Sequence, residues 1–167
     1  LSRMLDEMGV SALYSHQVLA IERVLRGENV LVATPTASGK SLIYNLPVLS
    51  ALLERPASKA LYLFPLKALA QDQVRTLEGM AGLLPEYFQR QGLPPAAIYD
   101  GDTTPHFRKK IRENLPGILV SNPDMLHLSL LPYHHLWSGL FANLTHVIID
   151  EVHTYRGVFG SHMAWVL

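Results

Sequence analysis

The sequence predicts an α/β fold of three layers, in which a parallel sheet carries helices on both faces. Three observations support this prediction. Short apolar runs of strand length recur along the 167 residues, stretches with helical periodicity separate them, and turn residues follow several of the runs. Strands that alternate with helices favour parallel pairing, because a helix then connects each strand to the next across one face of the sheet.

Taken in chain order, the apolar runs predict five short strands, at residues 30–33, 60–64, 96–99, 117–120 and 147–149. Helical patterns separate or follow them at residues 41–53, 66–77, 105–114, 123–131 and 158–167. Pro47 predicts a kink or an end in the first of these helices, since proline has no N–H to donate. Residues 82–95 are rich in Gly and Pro and are predicted as a loop. Ligands of such sheets bind where strands end, so the segments after the strands are the candidate sites.

The composition favours a folded chain with a real core. Hydrophobic residues make up 49% of it, and no apolar run approaches the roughly 20 residues that span a bilayer. The first residues lack the pattern of a secretory signal. There is no Cys, which excludes disulfides and Cys-based zinc sites, and the eight His residues lack the H-E-x-x-H spacing. We therefore expect a cytoplasmic location, no membrane span and no zinc.

The first candidate site follows the first predicted strand. Residues 34–41 read Thr-Pro-Thr-Ala-Ser-Gly-Lys-Ser and lead into a helix. Backbone N–H groups of such a loop surround phosphates, and the helix N-terminus adds partial positive charge. Lys40 would reach the β- and γ-phosphates of ATP and the Ser41 hydroxyl would ligate Mg²⁺. Thr34 stands where the general pattern has Gly, and the alternative is a Ser/Gly loop that carries a lysine by chance. The nucleotide-binding residues predicted here are Thr36, Ala37, Ser38, Gly39, Lys40 and Ser41.

The second candidate site is a pair of acids after the last predicted strand. Residues 147–149 run into Asp150 and Glu151. Asp150 would hold Mg²⁺, mostly through water, and Glu151 would act as the general base on the attacking water. The alternative is two solvated acids at a strand end. The phosphate loop upstream favours the catalytic interpretation, in which Lys40, Asp150 and Glu151 form the catalytic set.

These motifs resemble those of the superfamily 2 DEAD/DEAH-box helicases. Residues 150–153 read Asp-Glu-Val-His, the DEVH variant of the signature, and Tyr-Ser-His-Gln at 14–17 looks like a Q motif. Residues 64–73, 99–103 and 121–126 are similar to motif Ia, to the glycine-containing turn that follows it and to motif Ib. The wording of residues 150–162 is most similar to the DEVH-box MrfA/YprA-like DNA helicases, which are related to the fungal Hrq helicases.

The resemblance implies a RecA-like P-loop lobe and a role for further residues. Gln17 would bind the adenine edge, and His153 would couple the nucleotide state to a second lobe. A strand of nucleic acid would contact the segments after the strands, at Pro65, Lys67, Gly101, Asp102, Ser121 and Asn122. For Gln17 the alternative is a surface amide, and for His153 it is capping or packing.

Two other features are better explained by structure than by binding. The basic run at residues 108–112 would add charge for nucleic acid, but a charged helix face is usually just solvated. Tyr133, Trp137 and Phe141 could stack on bases, yet at helical spacing such residues are more often core. The balance of 14 basic and 14 acidic residues also argues against a strong nonspecific grip on nucleic acid by this piece alone.

The resemblance further implies a truncated lobe. Motif III and the second RecA-like lobe, which supplies the arginine finger, are expected beyond Leu167, so residues 1–167 would be the N-terminal ATP-binding domain of a longer protein. The leading hypothesis is an ATP-driven 3′-to-5′ DNA helicase acting in DNA repair. An RNA helicase of the same superfamily, a small-molecule P-loop NTPase and a binding module without turnover remain open.

Overall fold

The computed structural model describes residues 1–34, 38–84 and 95–166. Residues 1–56 and residues 57–167 form two compact units. The predicted phosphate loop belongs to the first unit, and the acid pair belongs to the second. Each unit is built by its own sequence pattern and has its own buried residues.

The described residues of the first unit form three helices, α1 (Ser2–Glu7), α2 (Ser15–Leu25) and α3 (Lys40–Glu54). Helix α3 packs against α2 and buries an apolar face that includes Ile43, Leu46 and Leu49. It continues past Pro47 to Glu54, so of the two predicted alternatives, a kink or an end, the end is excluded. The missing N–H removes one bond of the helix ladder, and the burial of the apolar face compensates for that loss.

No strand forms at residues 30–33 in the part of the chain that the structure describes, and the prediction of a first strand there is wrong. Leu31 in this run is 79% exposed. An apolar run becomes a strand only where a neighbouring strand receives its backbone hydrogen bonds, and the described sheet lies entirely within the second unit. The phosphate loop therefore follows a segment without a strand assignment.

The described part of the second unit contains a parallel sheet, as predicted, with four of the five expected strands. The strands are β1 (Lys59–Leu63), β2 (Ala96–Ile98), β3 (Ile118–Ser121) and β4 (Leu144–Ile149), in the order β2-β3-β1-β4. All three pairings are parallel. Strand β3 is buried at every position, which is expected of a central strand in a sheet covered on both faces.

Helices and single turns connect these strands. They are α4 (Lys67–Gly82), α5 (Pro105–Glu113), α6 (Pro123–Met125), a π-helical turn (Leu126–Leu130), a 3₁₀ turn (His134–Trp137), α7 (Ser138–Phe141), a second 3₁₀ turn (Val152–Thr154) and α8 (Gly157–Val166). The single helix predicted at 123–131 is thus a short α-helix that widens into a π-helical turn. None of the described helices is long and apolar enough to cross a membrane.

The register of the sheet brings the candidate segments to one edge. Leu63 of β1 pairs with Ser121 of β3 and with Ile149 of β4, while Ile98 of β2 pairs with Val120. The four strands therefore end within about one residue of each other. The segments that follow them, which the sequence analysis selected, emerge together at this carboxyl edge.

Aromatic and aliphatic side chains fill the core beneath this edge. Trp137 is 1% exposed, and its ring meets the ring of Tyr99 edge-on, with 4.8 Å between centroids. Such a contact contributes about 0.5–1.5 kcal/mol beyond the area that it buries. Trp137 is therefore core, as the helical spacing favoured, whereas Tyr133 is 54% exposed and Phe141 packs partly buried against the core. The core cluster consists of Leu61, Leu63, Tyr99, Leu119, Leu126, Leu130, Trp137 and Leu140.

Candidate functional site

The phosphate loop is closed by hydrogen bonds between its two ends. The Lys40 ammonium donates to the Thr34 carbonyl at 2.8 Å, and the hydroxyls of Thr34 and Ser38 lie 2.7 Å apart. Lys40 and Ser41 form the first turn of α3, where the orphan N–H groups of the helix begin. The predicted residues Thr36 and Ala37 lie outside the described residues.

Gly39 occupies the N-cap of α3 with φ +73°, a left-handed conformation that glycine adopts at little cost. A Cβ atom built there would lie 2.5 Å from Gln17 Nε2. Both the backbone angle and the neighbouring amide therefore require glycine at this position.

Gln17 is buried at 2% exposure, so the alternative of a surface amide is excluded. Its Oε1 accepts from the Tyr14 N–H at 2.8 Å, and its Nε2 donates to the Gly39 carbonyl at 2.9 Å. Next to it, His16 Nε2 lies 3.2 Å from the Ser38 carbonyl. Two side chains from the start of α2 thus hold the end of the phosphate loop.

The acid pair begins where β4 ends. The Asp150 N–H donates to the Leu63 carbonyl at 3.1 Å, which extends the parallel ladder by one residue. Asp150 Oδ1 then accepts from the Glu151 N–H at 2.8 Å. The aspartate side chain is therefore fixed against its own backbone at the strand end.

Glu151 has a left-handed backbone, with φ 51° and ψ 39°, and it is the one non-glycine residue with positive φ in the described parts of the chain. Such a conformation stores about 1–3 kcal/mol of strain, which the surrounding contacts must hold. Here the Glu151 carbonyl accepts from both the N–H and the hydroxyl of Thr154, each at 2.8 Å. Strain of this kind concentrates at functional sites, which makes Glu151 a candidate functional residue on geometric grounds.

Two further side chains lie close to the acids. His153 Nδ1 is 3.3 Å from Glu151 Oε2, and this His side chain is 66% exposed. Burial, together with the negative charges of Asp150 and Asp124, raises the pKa of Tyr155 to about 12. Tyr155 therefore stays protonated at neutral pH.

The turn after β2 is built around one carboxylate. Asp100 Oδ1 accepts from the N–H of Asp102 at 3.0 Å, and from the N–H and hydroxyl of Thr103 at 3.0 and 2.9 Å. No role was predicted for Asp100 from the sequence. An Asp-Gly pair after a strand is the signal for such a turn and could have identified it.

Arg108 holds the same turn from the other side. Its guanidinium donates to the carbonyls of Thr103, Asp100 and Gly101 at 2.8, 3.0 and 3.4 Å. It also lies over the ring of Tyr99, 5.3 Å from the centroid, at cation–π distance. Arg108 is thus structural, whereas Lys109 and Lys110 of the same basic run are exposed.

The predicted nucleic-acid contacts at the ends of β1, β2 and β3 differ in accessibility. Ser121 is 2% exposed, and its hydroxyl donates to the Tyr99 carbonyl at 2.6 Å. Asn122 caps α6, where its Oδ1 accepts from the Met125 N–H at 2.9 Å. Pro65 is partly buried, and Gly101 is exposed in the turn. The hydroxyl of Ser121 is therefore committed to the fold.

Lys67 and Asp102, predicted separately as strand contacts, form an ion pair with each other. The hydrogen bond to Asp102 raises the pKa of Lys67, and the hydrogen bond from Lys67 lowers the pKa of Asp102. Both side chains are more than half exposed. In strand order, the loops that carry them flank the end of β3.

The fold and these motifs define a class. The DEAD/DEAH box helicase family model matches residues 14–167, and the chain belongs to this family. The fold is a RecA-like helicase lobe.

Individual relatives are similar along nearly the whole chain. It is 48% identical over 98% of its length to the ATP-dependent helicase YprA of Bacillus subtilis, and 46% identical over 92% to the ATP-dependent helicase HRQ1 of Saccharomyces cerevisiae. The crystal structure of the helicase MrfA bound to DNA and AMPPNP superposes with a TM-score of 0.90, at 47% identity over 99% of the chain.

The chain matches only part of each relative: 21% of YprA, 14% of HRQ1 and 22% of the MrfA chain. The DEAD-box helicase Mss116 bound to ssRNA has a TM-score of 0.78 at 16% identity, which shows a shared fold alone.

Proposed function

We propose that this chain is the ATP- and Mg²⁺-binding first lobe of a 3′-to-5′ DNA helicase that acts in DNA repair. The observation that carries the proposal is the 47% identity, over 99% of the chain, to MrfA, a helicase crystallised with DNA and AMPPNP. The resemblance to the MrfA/YprA-like DNA helicases supports the polarity and the repair role.

The residues present fit ATP and Mg²⁺ by their chemistry. A hydroxyl from Ser41 and a carboxylate from Asp150 are hard oxygen donors of the kind that Mg²⁺ prefers. The Lys40 ammonium already donates to a carbonyl of the loop, so a phosphate oxygen would replace a neutral acceptor by a charged one. Bound Mg²⁺ would neutralise charge on the phosphates.

Glu151 has the chemistry of a general base. The two hydrogen bonds from Thr154 to the Glu151 carbonyl hold the strained backbone of Glu151 in one conformation. A carboxylate held in place can orient a water molecule and take its proton. We assign the proton transfer in ATP hydrolysis to this group, and to the neighbouring His153 the coupling to a second lobe.

Gln17, the residue proposed to bind adenine, also contacts the phosphate loop. Its Nε2 is bonded to the Gly39 carbonyl, one residue before Lys40. Binding the adenine edge would require this buried amide to exchange at least one of its present partners. We therefore propose that adenine binding and the position of the phosphate loop are linked through Gln17.

Three other functions make different predictions for turnover in the presence of nucleic acid. An RNA helicase would use the same contacts, since these segments touch the phosphodiester backbone and do not identify the 2′-OH. A small-molecule NTPase or a binding module would show no stimulation of turnover by nucleic acid. Comparing ATPase stimulation by single-stranded DNA and by RNA of the same sequence in the full-length protein separates these possibilities.

Two substitutions test the assignments in that protein. Lys40→Ala removes a charge-assisted bond of about 1.5–3 kcal/mol, which weakens ATP binding about 10- to 150-fold. Glu151→Gln keeps ATP binding and abolishes hydrolysis, because the amide cannot take a proton. Calorimetric titration and steady-state hydrolysis measure the two effects. Equal ATP affinity after Lys40→Ala, or turnover within a few-fold of the parent after Glu151→Gln, would refute the corresponding role.

A further inference from the structure

The ion pair between Lys67 and Asp102 joins two segments that are both proposed to contact the strand. Lys67 is the first residue of α4, and Asp102 lies in the turn after β2, 35 residues further along the chain. A phosphate that binds Lys67 competes with the Asp102 carboxylate, because both oxyanions accept hydrogen bonds from the same ammonium. Asp102 is therefore paired with the same ammonium group that we propose binds a strand phosphate.

The backbone hydrogen bonds of the turn position the Asp102 carboxylate next to Lys67. The N–H of Asp102 is fixed on Asp100 Oδ1, and Arg108 fixes the carbonyls on both sides of it. The Asp100 carboxylate accepts from three donors inside the turn. Of the two acids in this turn, Asp102 is thus the one whose charge is directed at Lys67.

An open cavity of about 810 Å³ lies beside the pair, lined by these two residues together with Asp100 and Lys110 among others. Its two lysines and two aspartates give it no net charge. Apolar side chains, including the 55% exposed Phe107, complete part of its wall. When Asp102 is displaced from Lys67, the lysine ammonium becomes available to an oxyanion bound in this cavity.

We propose that Asp102 acts as an intramolecular competitor of the nucleic-acid backbone at Lys67, so that each strand phosphate bound there must first displace this carboxylate. The proposal rests on the proposed nucleic-acid contact. A strand phosphate can replace Asp102 at Lys67, because ion pairs exposed to solvent contribute little free energy. The consequence is a strand contact that forms and releases readily, which suits a protein that must change its position on the strand.

Salt dependence gives the proposal a specific signature. A lysine that binds a phosphate of a single strand releases condensed counterions, which contributes about −0.7 to the slope of log K against log salt concentration. In the parent protein, the displaced Asp102 recruits a cation and offsets this release. Asp102→Asn removes the carboxylate that recruits this cation, so we expect a steeper salt dependence for the variant.

The experiment measures binding of a fluorescent single-stranded DNA to the full-length protein over a series of salt concentrations. We expect Asp102→Asn to raise affinity about two- to fivefold at low salt and to steepen the slope by up to about 0.7. Glu22→Gln is the matched control, because Glu22 is an exposed acid in another ion pair, 3.4 Å from Arg26, and lies outside the proposed strand contacts. It changes net charge equally and should leave the slope unchanged.

A double variant identifies the mechanism. Lys67→Ala should weaken binding, and Asp102→Asn should add nothing to affinity in the Lys67→Ala background. An equal gain in both backgrounds, or no gain in either, overturns the competition. An unchanged affinity after Lys67→Ala overturns it as well, yet leaves the helicase assignment intact. Failure of the parent protein to bind DNA would instead contradict the proposed function.

Discussion

Replacing Gly39 by alanine tests whether the left-handed N-cap and the Gln17 amide act together at the phosphate loop. Alanine at this position would have to adopt the φ of +73°, a left-handed conformation that costs about 1–2 kcal/mol for residues other than glycine. It would also lie 2.5 Å from Gln17 Nε2, so this amide must move and lose its bond to the Gly39 carbonyl. A lost hydrogen bond of this kind costs about 0.5–1.5 kcal/mol.

The two contributions can be separated. Gly39→Ala should destabilise the first unit by about 1.5–3.5 kcal/mol in the parent background, which is the sum of the strain and the lost bond. In a Gln17→Ala background the bond is already absent, so only the strain of about 1–2 kcal/mol remains. The coupling between the two sites is therefore about 0.5–1.5 kcal/mol.

Hydrogen exchange at the amides of α2 and α3 measures the opening free energy of this unit in all four proteins of the cycle. Equal effects of Gly39→Ala in both backgrounds would show that the amide does not constrain Gly39. An effect below about 0.5 kcal/mol in the parent would contradict the left-handed conformation itself.

Two other predictions concern the second unit. Arg108→Ala should destabilise it by about 1.5–3 kcal/mol in urea unfolding, because three backbone carbonyls lose a charged donor. Lys109→Ala, which breaks only an exposed ion pair to Glu113 at 3.7 Å, should change stability by about 1 kcal/mol or less, and equal effects would contradict the structural role of Arg108. His146 is half-buried, and burial lowers its pKa from 6.5, so the unfolded chain binds the proton more readily. The stability that this residue contributes is present above pH 6.5 and is lost as the pH falls through the lowered value. His146→Gln should therefore reduce the loss of the thermal midpoint between pH 7 and 5, and an unchanged pH dependence would refute the assignment.

The sheet of the second unit was predictable because local pattern and tertiary context agree there. The runs that became β1 to β4 are apolar, short and separated by helical sequence, and each is paired in the structure. The run at residues 30–33 has the same local pattern and no strand assignment. Pairing depends on a neighbouring backbone, which a run of four apolar residues does not specify.

The site residues were predictable in type and less so in their interactions. The motifs located Lys40, Asp150 and Glu151, and their catalytic roles stay predictions. The burial of Gln17 and the backbone strain at Glu151 depend on contacts across the chain, and no periodicity encodes them. The basic run was expected to be a solvated helix face, and the role of Arg108 was not foreseen, because a guanidinium can reach three carbonyls only where a turn presents them together.

The clamp around the turn after β2 recognises main-chain atoms. Arg108 binds carbonyl oxygens, and Asp102 contributes to the turn through its N–H alone. Any residue other than proline supplies the same N–H, so the side chain at position 102 can vary while the loop keeps its shape. Among related sequences, or in an engineered series, charge at this one position can be adjusted independently of folding. The affinity for a nucleic-acid strand can then be changed at position 102 without changing the fold of the loop.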